Sequence, residues 1–413
     1  MSKLEEMLKY ISENNEFYKN RIKQYGIKNP LDITQWPILT RKELQESRYN
    51  MFSDGYKAKY FNQQLKRQSS SGSSGIPVNI YWDHKDYFRS TMSLWRLRKK
   101  YYGISPASRK VSFSLMNIAK EQNKIIFSNT TENIINFNYS SIYDENHMLK
   151  VIEIINVFKP EWLYAQPSIL LRLLQCYKKY NIYPVKSLVY IESMGELLPP
   201  YLKKQLEVFF EVPVVDMYGS EEHNGIVYEC PYGKKHVIDD NVKVEVFRNG
   251  IIYPSGEGTA IITNLNNKAM PLIRYNQGDN IKLVNNSDIC LCESQSSYIE
   301  VINGRQSEMI NDHNVVISTF FLNEIIAETQ NQYNDPITQY VFKYLKKQNK
   351  MELCIAIDPN MIKWAPQIIN NLKKKFYEKL NNMSAITFEV NICSDIDYFK
   401  PINNKYKILH IEE

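Results

Sequence analysis

Residues 69–78 read Ser-Ser-Ser-Gly-Ser-Ser-Gly-Ile-Pro-Val, and this stretch is the most informative in the chain. Small glycine and serine residues let the backbone curl so that N–H groups and hydroxyls can surround phosphate oxygens. A run of this composition is also typical of a flexible linker. Residues 78–82 are β-branched and aromatic, which predicts a strand of a folded core directly after the run. We therefore interpret the run as a phosphate-binding loop, although it lacks the Gly-Lys-Ser/Thr of a Walker-type loop.

Composition narrows the class of protein. The chain has 413 residues, of which 43% are hydrophobic and 23% charged, so it is long enough for two or more domains with a large core. We find no apolar run of the about 18 to 20 residues that a membrane span needs. The first residues lack the apolar core of a signal peptide, and six cysteines in so long a chain do not indicate a disulfide scaffold. We therefore expect a cytoplasmic protein.

Net charge gives a weaker indication about partners. The balance of +6 is spread along the chain, without a basic stripe interleaved with aromatic residues, so nucleic-acid binding is not indicated. A mild positive balance favours a phosphate-rich substrate or an acidic carrier protein as partner. The sequence does not predict an oligomeric state.

The order of predicted elements indicates an α/β fold. Short apolar runs at residues 162–164, 187–191 and 212–217 alternate with helical patterns at 168–177 and 199–210, as in a parallel sheet covered by helices. Shorter alternating strands between residues 237 and 283 predict a β-rich subdomain. Beyond them we expect a hairpin over 339–357, a helix over 361–380 and a last strand over 386–392. The predicted organisation is a large N-terminal α/β domain, residues 1–307, and a small mobile C-terminal α+β domain, residues 308–413.

Four further motifs follow the serine-rich loop in the chain. They are Ser-Met-Gly-Glu at 193–196, Met-Tyr-Gly-Ser-Glu-Glu at 217–222, Leu-Ile-Arg-Tyr-Asn-Gln-Gly-Asp at 272–279 and Asn-Gly-Arg-Gln-Ser-Glu at 303–308. This ordered set resembles the adenylate-forming superfamily of acyl-CoA ligases and adenylation enzymes. Within it, the chain is most similar to the phenylacetate–coenzyme A ligase and capsule-biosynthesis branch. The resemblance implies activation of a carboxylic acid by ATP and Mg²⁺, and then transfer to a thiol of coenzyme A or of a carrier-protein pantetheine.

The resemblance also implies which residues bind the nucleotide. The implied ATP-binding residues are Ser70, Ser71, Gly72, Ser73, Ser74, Gly75, Gly195, Glu196, Met217, Tyr218, Gly219, Ser220, Asp279 and Arg305. A flat aromatic ring at Tyr218 suits stacking on adenine, and a carboxylate at Asp279 can accept from both ribose hydroxyls. Glu222 matches the acid that binds magnesium, a cation that prefers carboxylate and phosphate oxygens. Glu221 stands where Ser or Thr is common, so the choice between the two acids depends on the alignment.

Two further assignments concern the C-terminal part. Lys405 matches the family's catalytic lysine, with Lys407 as the alternative. Asn404 replaces the glycine that usually precedes this lysine, and asparagine tolerates left-handed backbone angles better than most residues. Glu308 stands where the family commonly has an Asp hinge between the large and small domains.

The sequence indicates the residues of the acid-binding pocket less clearly than those of the nucleotide site. The resemblance implies Gln166, Pro167 and Met194 as lining residues, and His223 either faces the acyl group or donates to a phosphate. The apolar character of the set favours an aromatic or medium-chain acid. Two other readings remain: an adenylyltransferase or amide- or ester-forming ligase in capsule, cofactor or secondary-metabolite synthesis, and a non-catalytic protein that has kept the fold. The presence of Glu222, Asp279, Arg305 and a C-terminal lysine argues against the last.

Cysteine spacing suggests a metal site. Cys230 and His236 form C-x5-H, and Cys290 and Cys292 form C-x-C. Three thiolates and one imidazole are a valid closed tetrahedral set for structural zinc. From the residues alone, inert buried cysteines are an equal alternative. Cysteines at matching positions in the resembled branch favour a structural Zn²⁺.

Overall fold

A computed structural model of the chain describes residues 1–69, 78–114, 125–126, 131–138, 145–285, 289–305, 310–312, 315–317, 319–333, 336–380, 385–393 and 408–412. The α-helices in chain order are α1 Lys3–Asn14, α2 Glu16–Tyr25, α3 Arg41–Ser47, α4 Tyr56–Phe61, α5 His84–Tyr102, α6 Glu145–Phe158, α7 Pro167–Lys179, α8 Pro200–Phe210, α9 Thr319–Tyr333 and α10 Ala365–Lys379. Short 3₁₀ helices cover Ile33–Gln35, Arg48–Met51, Lys346–Gln348 and Pro359–Trp364. No helix in this described part of the chain combines the length and apolarity needed to cross a bilayer.

The strands, again in chain order, are β1 Lys66–Ser69, β2 Asn79–Trp82, β3 Lys110–Ser114, β4 Ile134–Asn138, β5 Trp162–Ala165, β6 Tyr190–Met194, β7 Val214–Ser220, β8 Asn224–Glu229, β9 Lys235–Val237, β10 Val242–Arg248, β11 Ile251–Tyr253, β12 Gly256–Asn264, β13 Tyr275–Val284, β14 Tyr298–Arg305, β15 Ile310–Asp312, β16 Val315–Ile317, β17 Ile337–Leu345, β18 Lys350–Ile357, β19 Thr387–Ile392 and β20 Leu409–Glu412. The chain divides into two compact units. The first comprises residues 1–106 and 216–302, and the second comprises 107–215 and 303–413.

The first unit contains the N-terminal helices and the β-rich segment. Its strands follow the order β11-β10-β12-β13-β14-β9-β8-β7, and β10 pairs antiparallel with both β11 and β12. This confirms the predicted β-rich region after residue 237. A core of Met7, Leu8, Ile11, Trp36 and Ile80, among others, packs beneath the helices, and β1 and β2 form an antiparallel hairpin.

Local sequence explains why helix α3 begins at Arg41. The Thr40 hydroxyl accepts from the backbone N–H of Glu43 at 3.2 Å, and Glu43 Oε2 accepts from the backbone N–H of Thr40 at 2.8 Å. This reciprocal capping box satisfies two donors that the first helical turn would otherwise leave unpaired. Glu43 also binds Arg21 at 2.6 Å, which fixes α3 against α2.

The second unit contains the parallel sheet. Its strands follow the order β6-β5-β3-β4, with β5 parallel to both β3 and β6, as the alternation of strands and helices predicts. One face of this sheet carries Val111, Phe137, Leu163 and Ile191, which pack with apolar residues of α6, α7 and α8. Apolar side chains on alternate strand positions explain why the helices cover this face.

The C-terminal α+β region lies in the same unit. A mixed sheet of order β19-β18-β17-β20 packs against α9 and α10, with β17 and β18 forming the predicted hairpin. Helix α10 buries Ile368, Leu372 and Phe376 at the spacing of one helical face. The fold class is therefore confirmed, whereas the division between residues 307 and 308 stays a prediction.

Candidate active site

The turn between β7 and β8, in the first unit, carries several of the predicted site residues. Met217, Tyr218, Gly219 and Ser220 end β7, and Glu222 and His223 follow in the turn. A side chain at Gly219 would force the backbone apart, because a Cβ there would lie 2.5 Å from the carbonyl oxygen of Asn224. Close approach of the two strands therefore explains this glycine, independently of any nucleotide.

Tyr218 meets the second predicted nucleotide residue of this unit. Its hydroxyl donates to Asp279 Oδ2 at 2.5 Å, although the two residues lie on different strands. The strand that carries Asp279 is held by Arg274, whose guanidinium binds both oxygens of Glu245 at 2.6 and 3.0 Å. This buried bidentate pair fixes β13 and so positions the Asp279 carboxylate.

Glu221 and Glu222 lie in different environments. Glu222 is 4% exposed, and Arg41 Nη1 lies 4.0 Å from its Oε1. Glu221 is exposed, and its Oε2 accepts from Gln68 Nε2 at 2.8 Å. Gln68 lies on β1, the strand that leads into the serine-rich loop, so the base of that loop is bonded to the acidic turn. Sequence reasoning missed Gln68, because no local pattern indicates a partner so far along the chain.

Within the described part of the chain, four buried side-chain atoms around this turn have no hydrogen-bond partner. They are both ring nitrogens of His223, Ser220 Oγ and Gln277 Oε1. Gln277 lies between Tyr275, whose ring centroid is 6.0 Å from that of His223, and Asp279. Burial lowers the pKa of His223 to about 3, so its imidazole is neutral at physiological pH. Gln277 was also missed, although it lies inside the motif at 272–279.

In the second unit, the predicted residues lie where β5 and β6 end. Gln166 directly precedes α7, whose first residue is Pro167. Met194 is the last residue of β6, and Gly195 follows it. Gly195 has φ +79°, which favours glycine, and a Cβ there would lie 3.7 Å from Gln166 Cγ. The carboxyl ends of parallel strands are where open α/β sheets bind ligands.

Glu196 has a partner within the chain. Its carboxylate accepts from the Ser168 backbone N–H and from the Ser168 hydroxyl, both at 3.0 Å. It therefore caps the first turn of α7, a position that commonly takes an acidic side chain. Its predicted contact with the nucleotide stays a prediction.

The remaining predicted residues belong to the end of β14 and to segments without a description. Arg305 is the last residue of β14. The loop residues 70–75, the hinge Glu308 and the two candidate lysines, Lys405 and Lys407, lie outside the described residues. Their roles stay predictions from the resemblance.

The predicted metal ligands come together in the first unit. The ligand atoms of Cys230, His236, Cys290 and Cys292 all lie within 4.8 Å of one another, and all four residues are buried. His236 Nε2 is 3.4 Å from Cys292 Sγ, and its Nδ1 is 3.2 Å from the carbonyl oxygen of Ser296. An Nδ1–H donated to that carbonyl leaves the Nε2 lone pair directed at the thiols, which is how metal-binding histidines are oriented.

Burial and local hydrogen bonds shift the titration of this cluster. Burial lowers the pKa of His236 and raises that of Cys230 to about 11. Burial acts to raise the pKa of Cys292 as well, but hydrogen bonds from the Ser294 N–H and the Tyr101 hydroxyl lower it overall. Zn²⁺ binds a neutral imidazole and thiolates, so the lowered pKa values of His236 and Cys292 suit it, whereas Cys230 would have to lose its proton on binding.

The chain is similar in sequence to proteins of known name. No protein-family model matches the chain. The chain is 25% identical over 351 residues to protein CapK of Staphylococcus aureus, which is 81% of this chain and 75% of that protein. It is 23% identical over 255 residues to the phenylacetate-coenzyme A ligase of Aromatoleum evansii, which is 59% of this chain and 56% of that enzyme.

A solved structure covers almost the whole chain. The 2-hydroxyisobutyryl-CoA ligase in the postadenylation state, in complex with 2-HIB-AMP, superposes with a TM-score of 0.78 at 17% identity, over 99% of this chain and 88% of that one. This likeness confirms the predicted fold. The two sequence relatives confirm the resemblance on which the site was predicted.

Proposed function

We propose, from the confirmed resemblance to adenylate-forming enzymes, that this chain is an acid–thiol ligase that activates a carboxylic acid with ATP. The observation that carries the proposal is the contact of Tyr218 with Asp279, since these residues come from two separate motifs. The bond from Gln68 to Glu221 supports it, because it ties the stem of the serine-rich hairpin to the same turn. Three predicted nucleotide segments therefore lie in one unit of the fold.

Each residue has a role in this proposal that its chemistry suits. Tyr218 flanks the adenine, Asp279 accepts from the ribose hydroxyls, and residues 70–75 surround the phosphates with N–H groups and hydroxyls. Glu222 is a buried carboxylate in the turn, which suits a Mg²⁺ ligand. Magnesium, when bound, would neutralise charge on the phosphate oxygens.

The reaction proceeds in two displacements. A carboxylate oxygen of the acid attacks the α-phosphorus of ATP, the bond to the β-phosphate bridge breaks, and pyrophosphate leaves with the electron pair. Lys405, with Lys407 as the alternative, would stabilise the negative charge that develops on these oxygens. A thiol of coenzyme A or of a carrier-protein pantetheine then attacks the acyl carbon and AMP departs. Rotation of the C-terminal domain about Glu308 between the two steps would remove Lys405 from the site and open a channel for the thiol.

The chemical class of the acid that is activated is also a proposal. The relatives include a phenylacetate-coenzyme A ligase, which supports the aromatic member of the predicted pair of acid classes, aromatic or medium-chain. A second candidate, implied by the capsule-biosynthesis branch that the motifs resemble, is an adenylyltransferase or an amide- or ester-forming ligase. The two candidates share the first step and differ in the nucleophile of the second. The cytoplasmic location stays a prediction.

Exchange of labelled pyrophosphate into ATP tests the first step. We expect exchange that depends on one acid of a panel of aromatic and medium-chain acids, and that is lost in Asp279→Ala. The exposed Asp240→Ala is the matched control, since Asp240 pairs with Arg96 on the surface of the same unit. AMP release that requires coenzyme A or pantetheine supports the thiol ligase, whereas release that requires an amine or alcohol supports the second candidate. If no acid of the panel supports exchange, both candidate functions are contradicted.

We also propose that Cys230, His236, Cys290 and Cys292 hold a structural Zn²⁺. The fit rests on their proximity and on the orientation of His236 by the Ser296 carbonyl. Lys100 Nζ donates to the Cys292 carbonyl at 3.0 Å, so the cluster is also linked to the end of α5. Four protein ligands leave no open position for water, so the ion would support the fold and take no part in acid activation.

A further inference from the structure

Helix α5, in the first unit, concentrates positive charge. It contains one acid, Asp86, and six cations, which are Lys85, Arg89, Arg96, Arg98, Lys99 and Lys100. The net charge of the whole chain is +6, so the rest of the chain is close to neutral. Asp86 is buried, and its carboxylate accepts from the Lys268 backbone N–H at 3.1 Å and lies 3.4 Å from Arg89 Nη1. The exposed part of this helix therefore carries cations without an acid of its own.

Four of these cations share the outward face of α5 with apolar side chains. At 100° per residue, six residues fall within an arc of about 100° that extends about 21 Å along the helix axis. We call this set the α5 stripe, and it consists of Lys85, Phe88, Arg89, Met92, Arg96 and Lys99. Phe88 is 63% exposed, the side chains of Arg89 and Arg96 are 64% and 69% exposed, and both lysines are exposed.

The stripe is a product of folding. Its four cations lie three to seven residues apart in the chain, so only the turn of the helix brings them onto one face. The linear sequence indicated no basic stripe interleaved with aromatic residues for this reason. The α5 stripe corrects that expectation for the first unit.

The opposite face of α5 is packed against β8. Leu94 lies so close to this strand that a Cβ at Gly225 would be 2.9 Å from its side-chain carbons. Ser90 Oγ accepts from Asn224 Nδ2 at 2.7 Å. Leu94 and Ser90 are about half a turn of the helix away from the stripe, so packing fixes the helix with the stripe directed outward.

A cation of another helix adds to the charge beside the stripe. Lys3 of α1 donates to the carbonyl oxygen of Asp240, whose carboxylate binds Arg96 at 3.0 Å. Burial lowers the pKa of the Lys3 ammonium, Asp240 opposes this shift, and Arg96 and Arg89 add to it. Asp240 and Arg96 are both more than half exposed, and water screens such a pair, so one surface acid leaves this face positive.

The mixture of cations and apolar side chains decides which partner fits. Lysine and arginine side chains can lay their methylene stems along apolar surface while the charge stays at the polar boundary. The phosphate backbone of a nucleic acid would match the cations but offer no apolar contact to Phe88 and Met92. A membrane leaflet with anionic lipids matches both, because negative headgroups lie directly above hydrocarbon.

We propose that the α5 stripe binds this protein peripherally to an anionic lipid surface, with its four cations at the headgroups and Phe88 at the boundary of the acyl chains. α5 keeps its inward face on β8, so binding requires no unfolding. The inference is independent of the proposed function, because it needs neither ATP nor a carboxylic acid. Its test is accordingly carried out without either.

Vesicle binding by the full chain tests this proposal. Vesicles of equal parts phosphatidylglycerol and phosphatidylcholine are compared with vesicles of phosphatidylcholine alone, and co-sedimentation gives the partition coefficient. We expect binding to the anionic vesicles alone. Most of it should be lost between about 0.1 M and about 1 M salt, where the Debye length falls from about 10 Å to about 3 Å.

Two variants test the stripe itself. Replacing its four cations by glutamine should lower the partition coefficient about 100-fold or more, since each Lys or Arg at such a surface contributes about fivefold. The substitutions are Lys85→Gln, Arg89→Gln, Arg96→Gln and Lys99→Gln. Phe88→Ser leaves the charge unchanged and should lower the coefficient about tenfold, because less apolar surface leaves water.

A second quadruple variant controls for net charge. It replaces four exposed lysines of the second unit by glutamine, namely Lys178, Lys204, Lys347 and Lys374. Both quadruple variants have the same net charge, so they differ only in where the charge is removed. We expect the control to bind the anionic vesicles within about twofold of the wild type, since charges far from the contact are screened. Thermal melting should match the wild type in both variants, because every replaced side chain is exposed.

The outcomes separate the proposal from its rivals. Absence of binding to the anionic vesicles overturns it. An equal loss in the two quadruple variants also overturns it, because net charge alone would then explain the binding. A single-stranded RNA oligonucleotide of mixed sequence is the competing ligand. If the chain binds this RNA through the four cations and does not bind the vesicles, the stripe is a nucleic-acid surface and the proposal is wrong.

Discussion

The Tyr218 hydroxyl donates a 2.5 Å hydrogen bond to Asp279 Oδ2, which joins two strands that lie 61 residues apart in the sequence. Tyr218 lies in β7, two residues before its end, and Asp279 lies in β13 directly after Gly278, whose φ of +82° favours glycine. The contact brings an aromatic face and a carboxylate into one place. This is the pair of groups that the proposed nucleotide site requires.

Removing the charge at this contact should weaken ATP binding. In Asp279→Asn, the amide replaces one acceptor oxygen by a donor, so we expect Kd for ATP to rise about 10- to 100-fold, as for loss of charge-assisted hydrogen bonds. Tyr218→Phe keeps the ring face and loses only the hydroxyl, so its effect should be smaller. Titration calorimetry with ATP checks the order of these effects. Wild-type affinity in Asp279→Asn, with the exposed Asp240→Asn as control, would contradict the assigned role.

The two acids of the turn should differ in their effect on magnesium. Glu222 is buried in the turn, whereas Glu221 is exposed and already accepts from Gln68. We expect Glu222→Gln to raise the Mg²⁺ concentration for half-maximal exchange by roughly tenfold, or about 1.4 kcal/mol. Glu221→Gln should change it far less. A larger effect from Glu221→Gln would reverse the assignment.

The four-residue cluster should hold one zinc ion per chain. Cys292→Ser removes a ligand, so we expect loss of the bound metal and a Tm lower by roughly 5 to 10 °C, since 1 kcal/mol corresponds to about 2 to 4 °C for domains of this size. Cys176→Ser, in the apolar core of the second unit, is the control and should keep the metal. Elemental analysis of the purified protein measures both. Wild-type protein that contains no stoichiometric metal after expression in zinc-supplemented medium would contradict the site.

Burial of His223 should make stability sensitive to acid. Its pKa is about 3 in the folded chain and 6.5 when unperturbed, so the unfolded state binds the extra proton between these values. Stability is then fully present above pH 6.5 and falls by about 1.4 kcal/mol for each pH unit below it. His223→Gln should flatten this part of the profile, measured by urea unfolding between pH 6.5 and 4.

An exposed histidine provides the control for that experiment. His84 begins α5 at the surface of the same unit, so His84→Gln is the control for replacing a histidine that is not buried. If the free energy of unfolding falls equally with pH in His223→Gln and in the wild type, the buried imidazole does not lose its proton on folding.

Much of the fold follows from local patterns in the sequence. The capping box of Thr40 and Glu43, the strand at Trp162–Ala165 and the hairpin of β17 and β18 depend on residues close together in the chain. The convergence of Tyr218 with Asp279 needed the resemblance, because no periodicity relates positions so far apart. The metal cluster could be predicted in part. Spacing indicates the donors within the pair Cys230 and His236 and within the pair Cys290 and Cys292, but only folding brings the two pairs together.

Other features could not be predicted, for physical reasons. The two bonds from Ser168 to the Glu196 carboxylate are one such feature, because capping of this kind depends on where α7 begins relative to β6. In the part of the chain that the structure describes, both ring nitrogens of His223 and Oε1 of Gln166 are buried without a partner, and composition does not record which polar atoms folding leaves unpaired.

Transfer of an oxygen isotope tests the central claim most directly. The acid that best supports exchange is labelled with 18O in its carboxylate and incubated with ATP, Mg²⁺ and the thiol. If a carboxylate oxygen attacks the α-phosphorus, AMP must leave with one 18O atom, and mass spectrometry should find that label in AMP. Unlabelled AMP, or ADP together with labelled inorganic phosphate, would contradict an acyl-adenylate intermediate and the account built on it.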